Sequence, residues 1–310
     1  MSEEGAGRVD KHLQVFITVA EKQSFSKAAA VHYMTQPAVS QYVRTLEENL
    51  GMRLLERNNK YVHLNKAGEM VYHYGKEILG LYTTMQNLVD DLGNKASGPL
   101  AIGASYTFGE YVLPRVISEL KGFYPDIEPT VTIGNTARIA DLVATYQLDV
   151  GIVEGHFNEK DIQIEPFAED AMVIVSSPEN ERFHQTKEIK KSDLEQETWI
   201  VREKGSGTRE ATEKLFHECG IAPSRLMHFS STQPIKESVA AGLGISLLSK
   251  WAIQKEVKYG DLKIIPLKGL PLLREFSIIT KSTFQTRALE VFIHLLRSHK
   301  MFQTSELSER

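Results

Sequence analysis

The sequence predicts an α/β protein led by an all-α-type winged helix-turn-helix unit, with a long linker helix joining that unit to the rest. Three observations predict it. Two short helices meet around Tyr33, the second with a polar face; apolar residues from Ala67 to Leu92 keep heptad spacing without a slip; and beyond Pro99 strand-like and helix-like runs alternate. With 310 residues, 42% apolar and 25% charged, the chain can build two or three cores and has a globular composition.

The first element is a helix over 9–22 that buries Leu13, Phe16, Ile17 and Ala20. In Phe25-Ser26-Lys27-Ala28-Ala29-Ala30, Ser26 can cap a short helix with Phe25 just outside it, and Ala29 and Ala30 permit close helix contact. His32-Tyr33-Met34 forms the turn, Thr35 the next cap, and Pro37 suits a first helical turn. The second helix places Val39, Val43, Leu46 and Leu50 on one side and Gln36, Ser40 and Arg44 on another. Gln, Ser and Arg can read base edges in a DNA major groove, whereas a core helix has little use for such a face. Residues 53–57 and 61–64 flank Asn58-Asn59-Lys60 as two short strands around a polar tip, a hairpin wing. The whole chain carries −4, yet 22–66 holds seven Lys/Arg against three Glu, a local +4 suited to phosphate contact.

The seam Ala67, Val71, Tyr74, Ile78, Leu81, Met85, Leu88 and Leu92 predicts one helix over about 66–93. So narrow a stripe packs either on its own domain or, preferentially, on the same helix of a second copy. Lys95-Ala96-Ser97-Gly98-Pro99 ends it as a hinge. Strands are then expected at 100–104, 130–134, 148–153, 171–176, 198–201, 226–229, 245–248, 262–265 and 276–280. Helices fall between many of them, at 115–123, 139–146, 210–218 and 235–241. That rhythm predicts a mostly parallel sheet, or two. Hydroxyl and amide residues recur where helices follow strands: Ser105-Tyr106-Thr107, Asn135-Thr136, Gly205-Ser206-Gly207-Thr208-Arg209 and Thr232-Gln233-Pro234. Each is an ordinary cap taken alone; together, at the carboxyl ends of strands, they suit a carboxylate, sulfate or phosphate. Glu154, at another strand end, can receive an amine or pair with Arg209.

Other chemistries find little support. No run reaches membrane-span length and no basic-then-apolar leader precedes Val9, which predicts a cytoplasmic protein without a membrane partner. The single Cys219, expected as a small and partly buried side chain, excludes an internal disulfide framework and thiolate metal clusters. Ser24-x-x-Lys27 lacks the companion motifs of serine–lysine enzymes, and Gly205-x-Gly207 lacks a third glycine and the acidic partner of a dinucleotide site. No histidine pair has zinc-helix spacing. The expectation is no enzyme, no cofactor and no metal.

The chain resembles the LysR-type transcriptional regulators over nearly its whole length. The carriers are Leu13-x-x-Phe16, Ser24-Phe25-Ser26-x-Ala28-Ala29, Gln36-Pro37-Ala38-Val39-Ser40, Leu46-Glu47, Leu50-Gly51-x-x-Leu54-Leu55-Glu56-Arg57 and Ala67-Gly68. The resemblance implies a winged helix-turn-helix over 9–65, a dimerising linker over 66–95 and an effector domain over 98–302. That last domain would be two-lobed and periplasmic-binding-protein-like, lobe I at about 98–170 and 272–302, lobe II at about 171–271. Double-stranded DNA, a small anionic effector and further copies of the chain, as homodimer or preferentially homotetramer, are the implied partners. Gln36, Pro37, Ser40 and Gln41 would lie near base edges, and Ser24, Lys27, Arg44, Asn59 and Lys60 near phosphates. Ser105, Thr107, Thr136 and the loop around Thr208, with Ser206 and Arg209, would face the effector, and their positions after strands add Glu154 and Gln233 to that set. Two departures stand out, Asn65 in place of a common Thr and Tyr42 in place of a common basic or amide residue, the second expected to alter sequence preference. Phe108, where some relatives are polar, would make part of the cleft less polar. The stretch from Arg202 to Glu210 is similar to a segment in activators of sulfur-assimilation and carbon-fixation operons. The alternative is a cytoplasmic solute-binding protein without a transcriptional role.

Overall fold

A computed structural model describes residues 3–57, 62–91, 96–155, 162–183, 189–281 and 284–303. The chain divides into two compact units, Met1–Gln86 with Thr145–Gln147, and Asn87–Ala144 with Leu148–Arg310.

The first unit contains α1 (Glu3–Lys22), α2 (Phe25–Val31), α3 (Gln36–Leu50), a hairpin of β1 (Leu55–Arg57) and β2 (Val62–Leu64), and α4 (Lys66–Asp90). Its core joins Leu13, Val15, Phe16, Ile17 and Val19 of α1 to Ala28, Ala29, Val39, Val43 and Leu46. Several expectations shift by a residue or so. Val15 and Val19 face inward while Ala20 is half-buried, and Ala28 rather than Ala30 makes the close contact of α2. Ser24, not Ser26, caps α2, because Phe25 is its first helical residue and packs on the core. Leu50 is exposed as the last residue of α3, next to the Gly51 cap.

The wing pairs antiparallel as expected, Leu55 opposite Leu64 and Arg57 opposite Val62. Its tip, with Asn59 and Lys60, lies outside the described residues. Two side chains fix its base. A Glu47 carboxylate oxygen accepts from the N–H groups of Leu54 (2.8 Å) and Leu55 (3.3 Å). Asn65 donates to the Arg53 carbonyl (2.8 Å) and accepts from Gly68 N–H (2.8 Å), so it caps α4 while holding the wing. Glycine is required at 68, since a Cβ there would sit 2.0 Å from the Leu54 carbonyl oxygen. Along α4, 25 residues and roughly 37 Å at ~1.5 Å per residue, Ala67 and Val71 pack on their own core. Farther along, Tyr74, Ile78, Leu81 and Met85 of the same seam are exposed. The seam's last member, Leu92, lies outside the described residues.

The second unit runs β3 (Gly98–Ser105), α5 (Tyr106–Tyr111), α6 (Leu113–Phe123), β4 (Ile127–Gly134), α7 (Thr136–Ala144), β5 (Val150–Glu154) and β6 (Gln163–Ser176). There follow α8 (Lys191–Glu195), β7 (Thr198–Arg202), α9 (Gly207–Cys219), β8 (Arg225–Phe229), α10 (Thr232–Ala240) and β9 (Ser246–Ser249). It ends with α11 (Lys250–Tyr259), β10 (Lys263–Ile265), β11 (Leu272–Thr280), α12 (Arg287–Ser298) and α13 (Lys300–Gln303). This is a two-lobed α/β arrangement. Leu100, Ile102, Val116, Phe276 and Phe292 centre one core, and Met172, Trp199, Leu215, Ile245 and Leu247 another.

The sheet is not mostly parallel. Only β3–β4, β3–β5 and β7–β8 pair in parallel among the named strands. The 14-residue β6 and the 9-residue β11 run antiparallel through both lobes, and β5, β9 and β10 also join them antiparallel. Strand–helix alternation sets the rhythm of such a chain but not the direction of the two connecting strands. Cys219 is exposed rather than partly buried, because it is the last residue of α9. Among the described residues no helix is long and apolar enough to cross a membrane.

Gly68→Ala should cost about 2–3 kcal/mol through overpacking against backbone that cannot swing aside. A urea unfolding curve of the full chain with an unchanged midpoint would contradict this.

Candidate nucleic-acid interface and effector cleft

The first unit presents a polar helix face beside a groove. Thr35 caps α3 by accepting from Ala38 N–H (3.4 Å), and Pro37 lies in its first turn, as expected. Gln36 Nε2 donates to Ser40 Oγ (2.9 Å), Gln41 Nε2 to Thr45 Oγ1 (3.4 Å), and Arg44 Nε pairs with Glu48 at 2.8 Å. Gln36, Pro37, Ser40, Gln41 and Arg44 line an open groove of about 1190 Å³ together with Arg53. The Arg44–Glu48 pair is solvent-exposed, so it contributes little and leaves the guanidinium free to turn to another anion. Ser24 and Lys27 stand apart on α2, where the Ser24 hydroxyl accepts from Lys27 N–H (3.3 Å). Tyr42 does not face the groove: it packs on the core, its ring 4.9 Å from that of His12.

In the second unit, six of the eight expected effector residues are buried: Ser105, Thr107, Thr136, Glu154, Ser206 and Thr208. An unpredicted residue, Arg274 on β11, links three of them. It donates to Thr107 Oγ1 (3.0 Å) after β3 and to Thr208 Oγ1 (3.2 Å) at the start of α9, and it lies 3.4 Å from Glu154. Its Nε and Nη2 also reach Asp170 at 2.8 and 2.7 Å, and Asp170 accepts from Ser249 Oγ (2.6 Å). Arg274 and Asp170 face each other across the β6–β11 register. Glu154 accepts from Ser105 through its carboxylate and from Thr136 Oγ1 through its carbonyl (2.8 Å). Glu154 therefore pairs with Arg274, not with Arg209. Gly207 lets α9 approach this strand end, where any Cβ would meet the Glu154 carbonyl oxygen at 2.1 Å.

Two carboxylates thus share one guanidinium out of water. Burial pushes both Glu154 and Asp170 above the usual carboxylate range, with Arg274 opposing the shift. Beside them Arg202, 2% exposed, faces the Tyr106 ring at 4.4 Å and donates to Thr232 Oγ1 (3.4 Å) and to Glu203. Burial pushes Glu203 up, but hydrogen bonds from Arg202 and Asn135 outweigh it and hold its carboxyl below the usual range.

A neighbouring cavity of about 310 Å³ is lined by Thr136, Lys204, Gly205, Ser206, Gly207 and Arg209, with Glu210 and Glu213 at its side. It opens on the N-terminus of the 13-residue α9, where Ser206 makes no side-chain cap bond. Arg209 is held by Glu213 (2.6 Å) and by His228 Nδ1 (3.2 Å). Gln233 is exposed and bonded along its own helix to Glu237 (2.7 Å); its buried neighbour Thr232 takes the inward place. Phe108 lies wholly in the core against Phe276 and Phe167, so it does not alter the cleft's polarity. Arg202, Asp170 and Arg274 went unpredicted, although an arginine inside the apolar strand Leu272-Leu273-Arg274-Glu275-Phe276 is itself a signal. Among the described residues no cluster of three His, Cys, Asp or Glu side chains could hold a metal ion.

Residues 11–69 match the model of the bacterial regulatory helix-turn-helix proteins of the lysR family, and residues 93–300 that of the LysR substrate binding domain. The HTH-type transcriptional regulator CysL of Bacillus subtilis is 36% identical, covering 94% of this chain and 97% of that protein. The HTH-type transcriptional activator CmpR of Synechocystis is 33% identical over 92% of this chain and 94% of that one. Among solved structures, the CcmR regulatory domain of Synechocystis in complex with 2-PG is similar with a TM-score of 0.61 and 26% identity. It covers 67% of this chain and 99% of that one.

Arg274→Met should destabilise the fold by about 3–5 kcal/mol, because two buried carboxylates lose their counter-charge. Both groups already hold protons more tightly folded than unfolded, so their contribution to stability falls as pH rises above about 4, the ordinary carboxylate value. Removing Arg274 steepens that fall. The deficit relative to the parent chain should be larger at pH 8 than at pH 5, and denaturant curves showing the reverse would contradict the assignment.

Proposed function

The chain belongs to the LysR family of bacterial helix-turn-helix regulators, and from that premise we propose a ligand-responsive, sequence-specific DNA-binding regulator of transcription. The observation that carries the reading is the polar, groove-lining stripe Gln36, Ser40, Gln41 and Arg44 on a helix capped by the turn before it. Gln36, Pro37, Ser40 and Gln41 read base edges; Ser24, Lys27, Arg44 and the wing residues Asn59 and Lys60 meet phosphates. The exposed seam Tyr74, Ile78, Leu81 and Met85 fits the same face of a second copy, which gives a dimer two reading heads for two half-sites.

The effector is a small anionic metabolite held between the lobes. The N-terminus of α9, with Lys204 and Arg209 beside the cavity, supports the sign of its charge. Binding changes how the lobes are held and thereby the spacing of the paired linker helices. Activation is the sense supported by the name of the Synechocystis relative. The protein works in the cytoplasm and is not an enzyme; the relatives named as regulators support both points. A solute-binding protein without a transcriptional role would share the second unit, but it has no use for the polar face of α3.

Gel-shift titrations on promoter fragments decide between these readings. Retardation that weakens steeply with salt is expected; no retardation at modest ionic strength would sink the proposal. Ser40→Ala or Gln36→Ala should cost about 1–3 kcal/mol on the preferred duplex and change which sequence is preferred. Lys27→Ala should weaken all sequences alike and reduce the salt slope by about one.

A further inference from the structure

Arg202, two residues before the cavity-lining Lys204, offers a complete anion grip that is already filled. The residue ends β7, 2% exposed, its guanidinium against the Tyr106 ring and its Nη1 donating to Thr232 Oγ1. The remaining edge, Nε and Nη2, holds the two carboxylate oxygens of Glu203 at 2.7 and 2.9 Å. Such a two-pronged grip is how arginine binds a ligand carboxylate or phosphate. The other guanidinium groups nearby are committed differently: Arg274 is enclosed by two buried carboxylates, and Arg209 is paired with Glu213 and His228.

Glu203 sits on the solvent side of this pair, with 27% of its side chain exposed. It also ties the lobes together. Its Oε1 accepts from Asn135 Nδ2 at 3.0 Å, and Asn135 in turn caps α7 by accepting from Arg138 N–H at 2.9 Å. One further link crosses beside it, from Ala137 N–H to the Gly205 carbonyl at 3.1 Å. The carboxylate on Arg202 is therefore one end of a bridge between a helix start after β4 and the strand end of β7.

We propose that Glu203 is a resident stand-in for the effector's anionic group, which displaces it from Arg202 and thereby cuts the bridge to Asn135. The inference rests on the reading of this cleft as the effector site; it names the ligand chemistry, a carboxylate or phosphate, and the group evicted. Exchange of one bidentate partner for another leaves little net gain on Arg202 itself. Occupancy is instead converted into loss of a contact between the lobes, which is what a signal requires. If Glu203 merely neutralises and positions Arg202, removing its charge would loosen the grip and weaken anion binding. The two roles predict opposite signs.

The test uses the full chain, titrated calorimetrically with inorganic phosphate and, separately, sulfate at fixed ionic strength. Glu203→Gln should bind phosphate at least tenfold more tightly than the parent, and adding Arg202→Lys to that variant should abolish the gain. Asn135→Ala, which frees Glu203 from its second tie, should tighten binding by a smaller factor, and it decides the matter if Glu203→Gln fails to unfold cooperatively. Unchanged or weaker binding in the Glu203 variant, a gain that survives Arg202→Lys, or no heat from any of the proteins would overturn the proposal. An unchanged affinity in Asn135→Ala would do the same. Failure of the parent chain to retard DNA would remove the regulator reading while leaving this titration intact.

Discussion

A guanidinium buried between two carboxylates organises the second unit. Arg274 contributes its charge where β11 passes from one lobe to the other, and its hydrogen bonds end on both. Desolvating three charged groups is expensive, so the arrangement persists only because nearly every donor and lone pair is met: Asp170 by Ser249, Glu154 by Ser105, and the guanidinium by Thr107 and Thr208. The hydroxyls at the starts of α5 and α9 thus serve this charge cluster instead of capping, since neither Ser105 nor Ser206 makes a side-chain cap bond. They bring the first turns of α5 and α9 against one cation, and the space left between the lobes is the cleft.

The first unit solves a similar positioning problem with backbone hydrogen bonds rather than charge. Glu47, half-buried on α3, takes the two N–H groups that begin the wing and so fixes α3 to it. Asn65 then joins the wing's first residues to the first turn of α4. The departure of Asn65 from the family's common threonine has a physical reason here. A carboxamide accepts from Gly68 through Oδ1 and donates to Arg53 through Nδ2, whereas a threonine would have to reach both partners from one oxygen on a shorter side chain.

Local chemistry was legible in the sequence, and pairing across long separations was not. Thr35 and Pro37 announce the start of α3, the apolar runs of β3 and β5 announce buried strands, and hydroxyls after strands mark the cleft. The first half of β6 went unseen because Glu165, Pro166 and Glu169 break its pattern on a largely exposed ribbon. Arg274 and Asp170 lie 104 residues apart and meet only through strand register. Arg202 was hidden differently: in Arg202-Glu203-Lys204 it reads as a solvated charge run, yet its side chain is almost wholly enclosed while that of Lys204 is exposed. Tyr42 and Phe108 show the same limit, since neither residue type reveals which way its helix is turned.

The exposed position of Cys219 makes α9 a pointer with a handle on its far end. The helix begins at the cleft with Gly207 and stops at the sequence's one cysteine, roughly 18 Å away at ~1.5 Å per residue. A spin label or dye attached there occupies a single defined place on each chain, at the end of α9 away from the cavity that Gly207 lines. Any tilt of α9 about its anchored start is enlarged at that tip. In an assembly of identical chains, the separations between such probes would follow ligand-driven motion of the lobes directly.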